Sequence, residues 1–340
     1  MPDLGKADSA FFDQFIYPHL GADRDEVRVE PAHGVDFGAV EIGGQMLAIA
    51  TDPVSINPGL GLERAGWLAL HILLSDVAVS GLDPAYLSID LNLPPEIEND
   101  TFEAVWSVMD REARKFGVQV VTGHTARYQG CNYPMVGGGT AMAVGDPEDL
   151  VRPDGARPGD SVIVTKGPAV EAVGVLSVLF ADQVVEDLSE ADLAAAQDRF
   201  YDSSPVEDAI VAANSGPMTA MHDATEGGVI GGFHEMARAA GVQFEIERDA
   251  IPVLDGIRPA CEAFGIDPWI SISEGTLLGT VDQSGVDAVL GALADAGVPA
   301  AEVGVVSEGS GLIVDGERVD HPGADPYWQA LEECAARAED

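Results

Sequence analysis

The segment Gly145–Gly159, GDPEDLVRPDGARPG, interrupts the chain where neither a helix nor a strand can run on. Proline fixes φ and removes a backbone donor, and glycine carries conformational freedom that a regular element must give up. Strand-like and helix-like stretches alternate on both sides of it. The segment is therefore expected to divide an α+β chain into two domains. The division places residues 1–150 in an N-terminal domain, 151–325 in a C-terminal α/β domain and 326–340 in a polar tail. A chain of 340 residues is long enough to give both domains a core.

In the first half, Asp8–Leu20 has apolar residues at helical spacing. Gly38–Ile42 and Met46–Thr51 read as strands joined by Gly43-Gly44. Leu62–Ser80 reads as a buried helix, Ala85–Leu93 as a strand, and Thr101–Phe116 as a helix stopped by Gly117. Val118–Val121 is expected to be a strand that leads into Thr122-Gly123-His124-Thr125. Tyr133–Val144 is expected to be a glycine-rich strand. In the second half, Ser161–Thr165, Met218–His222, Phe244–Ile246, Leu277–Val281 and Ala301–Val306 read as strands. Helices are expected at Ala169–Phe180, Leu188–Phe200, Val206–Asn214, Val229–Ala240 and Val286–Ala296, and the chain is expected to fray from Cys334.

Composition then narrows the partners. The formal net charge is −41, from 58 acidic and 17 basic residues spread along the chain. Such a surface repels nucleic acid and anionic membranes, so neither is expected as a partner. It also reads as adapted to high salt, where self-repulsion is screened. No apolar run approaches the roughly 20 residues of a membrane span, and no signal peptide is visible. Cys131, Cys261 and Cys334 lie far apart with no CxxC pair, so a reducing cytoplasm is the expected setting. Only Lys6, Lys115 and Lys166 are lysines. Lys6 and Lys166 both adjoin glycine, so they are either positions where positive charge is needed or residual surface lysines.

The sequence has no G-x-x-x-x-G-K-[ST] loop, no G-x-S-x-G elbow and no H-E-x-x-H helix. It does have carboxylates at strand ends and turns. Asp36 precedes a strand, Asp52 follows Leu47-Ala48-Ile49-Ala50, Asp76 lies within an apolar helix, and Asp223 ends a strand. Any one of them can be a helix cap, a turn residue or a surface charge. Together they are the hard oxygen ligands that Mg2+ prefers. Burying an aspartate such as Asp76 costs several kcal/mol unless it is paired or binds a cation. Thr225-Glu226-Gly227-Gly228 runs from a loop into a helix, where its glycines leave backbone N–H groups open to a phosphate or substrate. Helix capping alone also explains that pattern. His124 can be a ligand, an acid or base, or a hydrogen-bonded loop histidine.

Taken in order, these motifs resemble one superfamily. They are Gly5-Lys6, His33-Gly34-Val35-Asp36-Phe37-Gly38-Ala39-Val40, Thr51-Asp52-Pro53, Ser75-Asp76-Val77-Ala78, Gly123-His124-Thr125, Thr165-Lys166-Gly167 and Met221–Gly228. The superfamily contains aminoimidazole ribonucleotide synthetase, selenophosphate synthetase, thiamine-monophosphate kinase and the hydrogenase-maturation carbamoyl dehydratase. Ser271–Leu278 adds a likeness to hydrogenase-maturation-factor-like proteins. The resemblance covers about residues 5–315. It implies a homodimer paired through the N-terminal sheet, and ATP bound with Mg2+ to activate a small substrate. Asp36, Asp52 and Asp76 would then be metal and phosphate-side residues. Lys6, Thr51, Lys166, Thr225, Gly227 and Gly228 would bind ATP, and Lys6, His124, Asp223 and Glu226 would be catalytic.

Three departures bear on the reaction. Cys334 is followed by Ala335–Asp340, so the chain lacks the terminal cysteine on which the carbamoyl dehydratase carries its substrate. His124 stands where much of the superfamily has an acidic residue. No E-G-x-H-F-like stretch of the thiamine-phosphate kinases follows Asp52. The alternatives to an ATP-dependent enzyme are a nucleotide-binding scaffold without turnover, a carrier acting through Cys334, and a thiamine-monophosphate-kinase-like phosphotransferase.

Overall fold

The structure, a computed structural model, describes residues 5, 7 and 9–339. Two antiparallel-dominated sheets organise it. The N-terminal sheet contains β1 (Val27–Val29), β2 (Gly38–Ile42), β3 (Gln45–Ser55), β4 (Pro84–Leu93), β5 (Gln119–Arg127) and β6 (Met135–Gly145). Their order is β1-β2-β3-β6-β4-β5, and only β4 and β5 run parallel. The C-terminal sheet contains β7 (Ser161–Thr165), β8 (Met218–Asp223), β9 (Gln243–Ile246), β10 (Leu277–Val281), β11 (Ala300–Ser307), β12 (Gly311–Val314) and β13 (Glu317–Val319), in the order β13-β12-β9-β11-β7-β10-β8. The fold is α+β with two sheets, as the sequence implied.

Alternation in β3 sorts its side chains onto the two faces of the first sheet. Met46, Ala48, Ala50 and Val54 are buried, and Leu47, Ile49 and Thr51 point the other way. The buried face packs under α2 (Leu62–Ala78) and α3 (Asn99–Lys115). Gly66 lets these two helices close up, because a Cβ there would lie 2.8 Å from the Val105 carbonyl oxygen. α2 is apolar almost all round because it is wedged between this sheet and the second half of the chain. His71 of α2 shares a 2.7 Å hydrogen bond with Ser204 Oγ across that junction, and burial pulls its imidazole down to about 4, so it is neutral there.

Around the C-terminal sheet lie α4 (Val170–Leu179), α5 (Ala181–Val184), α6 (Glu190–Asp198), α7 (Val206–Ser215), α8 (Gly228–Ala240), α9 (Ile257–Phe264), α10 (Val286–Asp295) and α11 (Pro326–Glu339). Three expectations need correction. The helix expected over Asp8–Leu20 is broken: α1 is only Ser9–Phe11, and π and 3-10 turns follow it. Gly123-His124-Thr125 lies inside strand β5, paired to Ile89-Asp90-Leu91, and is no loop. The chain beyond Cys334 stays helical, because Tyr327, Ala330 and Cys334 on α11 are buried in the core cluster that also holds Leu176 and Cys261, and the Cys334 carbonyl accepts from Gln183 Nε2 at 2.8 Å. Among the described residues, no helix is long and apolar enough to cross a membrane.

Candidate functional site

The two halves bring carboxylates together where the covered face of the first sheet meets the end of β8. Asp52 sits on that covered face of β3, opposite Gly139 of β6. Asp223 is the last residue of β8 and pairs with Leu277 at the start of β10. Just before β10, Glu274 is 5 % exposed and lies within electrostatic reach of Asp223, Glu171, Asp52 and Ser75. Burial raises the Glu274 carboxyl well above its ordinary range, the Asp223 and Glu171 carboxylates push it further, and the Ser75 hydroxyl works in the other direction. Glu171, in the first turn of α4, is pushed up to about 8, first by burial and then by Asp325, Glu226 and Asp223, although the Glu274 backbone N–H opposes this. Glu274 Oε1 and Glu171 Oε2 are buried with no hydrogen-bond partner. Buried carboxyl oxygens of this kind call for a proton or a hard cation, so the donor set fits Mg2+.

A second cluster adjoins the first through Asp223. The loop carrying Asp36 crosses α8 so closely that a side chain at Gly34 would run into the Glu235 carbonyl. Asp36 Oδ2 lies 2.7 Å from His222 Nδ1, and Glu235 Oε2 lies 2.9 Å from His222 Nε2. Burial pulls the His222 imidazolium down, but Asp36 and Glu235 more than offset this and hold it well above its ordinary range.

The glycines of the Thr225–Gly228 stretch have another use than the one expected. Gly227 and Gly228 adopt left-handed φ of 85° and 60°. The Gly227 N–H is taken by Asp325 Oδ2 at 2.9 Å, and a Cβ on Gly228 would lie 2.7 Å from the Ser271 carbonyl oxygen. The chain itself therefore fills the room expected for a ligand at these two residues. Thr225 and Glu226 remain half-buried beside it, and Gly5 lies against Glu226 and Trp328.

Lys166 is also turned inward. Its backbone is left-handed (φ 57°), and Nζ donates to the carbonyls of Asp202, Ser204 and Gly275 at 3.2, 2.8 and 3.1 Å. It pairs with the buried Asp208 at 3.1 Å. Its ammonium is committed to the fold, and the arrangement gives no support to the phosphate-side role expected of it. Lys6 lies outside the described residues. Asp76 is half-buried on α2, one residue beyond Ser75.

Thr51 and His124 are not gathered with these carboxylates. Thr51 points to the open face of the first sheet, where its hydroxyl meets Thr140 Oγ1 at 2.9 Å. The register continues the row through Ser88 to Thr122 on β5, and one step along the same face it places Asp90 beside His124. His124 Nε2 lies 3.0 Å from the Tyr128 hydroxyl, and both residues are exposed.

Sequence reasoning overlooked Glu171, Glu274, His222, Glu235 and Asp325 as site residues. Glu171 was within reach, because it stands in an apolar helix as Asp76 does.

Family models for the AIR synthase related protein match residues 34–144 with the N-terminal domain and 157–317 with the C-terminal domain. The chain belongs to this family, and it is an enzyme. It is 30% identical to the carbamoyl dehydratase HypE of Rhizobium leguminosarum bv. viciae, over 87% of this chain and 86% of that one. It is 27% identical to the thiamine-monophosphate kinase of Aquifex aeolicus, over 85% and 91% of the two chains. Among solved structures, E. coli HypE, a hydrogenase maturation protein, superimposes with a TM-score of 0.69 at 28% identity, covering 82% of this chain and 87% of that one. AaThiL complexed with AMPPCP and TMP gives 0.69 at 24% identity over 86% and 90%, a likeness of fold.

Proposed function

We propose that this chain is an ATP- and Mg2+-dependent enzyme that activates an oxygen of a small substrate by phosphoryl transfer, in the manner of the carbamoyl dehydratases to which it is similar. The observation that carries the reading is the carboxylate set of half-buried Asp52 with buried Asp223, Glu274 and Glu171, in which one oxygen each of Glu171 and Glu274 lacks a hydrogen-bond partner. Asp52 and Asp223 would hold Mg2+, with Asp36 and Asp76 at its margin. Bound there, Mg2+ would neutralise phosphate charge and orient the transferred group. Glu274 supplies the chain's own proton chemistry: its buried carboxyl keeps a proton that it can give to a leaving oxygen, or, once ionised, it can take one from a substrate N–H.

The substrate is read as a free small molecule and not one borne on Cys334. That thiol is 1 % exposed, accepts a 3.2 Å hydrogen bond from Arg337, and is raised by burial. Thr51 and His124, on the open sheet face, belong to the reading as a nucleotide contact and a catalytic residue completed by a second copy. Ile42, Tyr86, Val120, Val121 and Met135 are exposed on or beside this sheet, and nearly all of edge strand β5 is open, as expected of a surface that pairs in a homodimer. The relationship to thiamine-monophosphate kinase favours one second reading, transfer of the phosphoryl group to a phosphate acceptor.

The net charge of −41 is read as adaptation to high salt, so the test belongs in molar salt. The full chain is titrated calorimetrically with ATP, with and without Mg2+. Binding is expected only with Mg2+. Asp52→Asn is expected to weaken it at least tenfold while the urea midpoint moves little. Unchanged nucleotide affinity in this variant refutes the assignment.

A further inference from the structure

Asp36, His222 and Asp223 each offer one ligand atom, and these atoms lie within 4.8 Å of one another. His222 is the unusual member. Its side chain is 2% exposed and is flanked by carboxylates on both ring nitrogens. A neutral imidazole carries one N–H. If Glu235 takes that hydrogen at Nε2, Nδ1 presents a lone pair to Asp36 Oδ2 only 2.7 Å away. Two acceptors at that distance repel, so positive charge must lie between them, either a second proton or a metal ion.

Charge balance separates the two occupants. With a second proton, one imidazolium faces the carboxylates of Asp36, Asp223 and Glu235. With neutral histidine and a divalent ion, the same three carboxylates are better compensated. The geometry is that of a carboxylate–histidine–metal relay, in which an outer carboxylate fixes the tautomer and aims the other nitrogen at the metal. Neighbouring ligands about 2.1 Å from one ion lie roughly 3 Å apart, so the Asp36–His222 pair need open by only a few tenths of an ångström.

We infer that Asp36, His222 Nδ1 and Asp223 form a site for a divalent transition metal, with Glu235 as the outer carboxylate that orients the ring. It goes beyond the Mg·ATP reading, because an imidazole nitrogen shifts an otherwise all-oxygen site from Mg2+ towards Mn2+, Fe2+ or Zn2+. Asp223, shared with the first cluster, places that ion beside Glu274.

The test uses full-length, chelator-treated protein in molar salt without nucleotide, titrated with Mn2+ and read by electron paramagnetic resonance, including pulsed detection of coupled nitrogen. One Mn2+ per chain is expected, coupled to an imidazole nitrogen and retained against a tenfold excess of Mg2+. His222→Gln should abolish the nitrogen coupling and weaken binding at least tenfold. Glu235→Gln changes a partly exposed side chain and leaves the ligands in place, so it guards against a folding artefact. It should keep the nitrogen coupling but weaken binding about tenfold. Mn2+ without nitrogen coupling, displacement by equimolar Mg2+, or wild-type affinity in Glu235→Gln would each overturn the assignment. Mg·ATP titrated in parallel separates the two ideas. Nucleotide binding without the nitrogen-coupled ion refutes the metal site alone, and the ion without nucleotide binding refutes the nucleotide reading alone.

Discussion

Glu171→Gln isolates the electrostatic cost of the carboxylate set. The substitution keeps the side-chain volume and an acceptor for the Glu274 N–H, and it removes only the titration. Below about pH 4.5 the Glu171 carboxyl is protonated in the folded and the unfolded chain, so it makes no pH-dependent contribution. As pH rises from 4.5 to about 8, the unfolded chain releases the proton while the folded chain keeps it, and stability falls throughout that window. Above 8 the loss is constant. At 1.36 kcal/mol per pH unit its ceiling is roughly 5 kcal/mol, and about 2–3 kcal/mol remains if the neighbouring carboxylates relax. The assay is urea unfolding of wild type and variant at pH 5 and pH 8.5, in Mg2+-free buffer at fixed molar salt. The variant should lose less stability between the two pH values, by about 2–4 kcal/mol. Parallel pH dependence in the two proteins refutes the claim that Glu171 holds a proton in the folded state.

Lys166→Met should cost about 3–5 kcal/mol, because it strands the buried Asp208 carboxylate and three carbonyls. Calorimetry of the folded variant should show unchanged Mg·ATP affinity, and a tenfold loss would return Lys166 to the phosphate side. Cys334→Ala should keep full turnover and lose about 1–2 kcal/mol from a small cavity in the core around it, so loss of turnover in a folded variant would revive the carrier reading. Sedimentation in molar salt should give about twice the 35.4 kDa chain mass, and a monomer would contradict pairing through the open sheet face.

Much of the local structure was legible in the sequence because periodicity reports which side of an element is apolar. The strand Leu277–Val281 and the helix beginning at Val206 fall where their patterns place them. Periodicity was silent where a partner surface is missing. β5 is exposed along almost its whole length, so its central Thr122-Gly123-His124-Thr125 looked like a loop although it is paired to β4. The same limit hid the separation of Thr51 from Asp52. The two are adjacent in sequence, and alternation along β3 alone puts them on opposite faces, but only the packing of α2 and α3 decides which face is covered.

The roles of the site residues were hard to read for a different physical reason. A charge kept against the compositional trend marks a place where charge is needed, but it does not name the partner. Lys166 pairs with the buried Asp208, and the glycines after Glu226 let Asp325 and the Ser271 backbone close in. Burial is the better signal. An ionisable residue in an apolar helix needs compensation that only tertiary structure supplies. That criterion flagged Asp76, and applied to the apolar run of α4 it also selects Glu171, the one acidic residue there, which meets Glu274 and Asp223 at the junction of the two sheets.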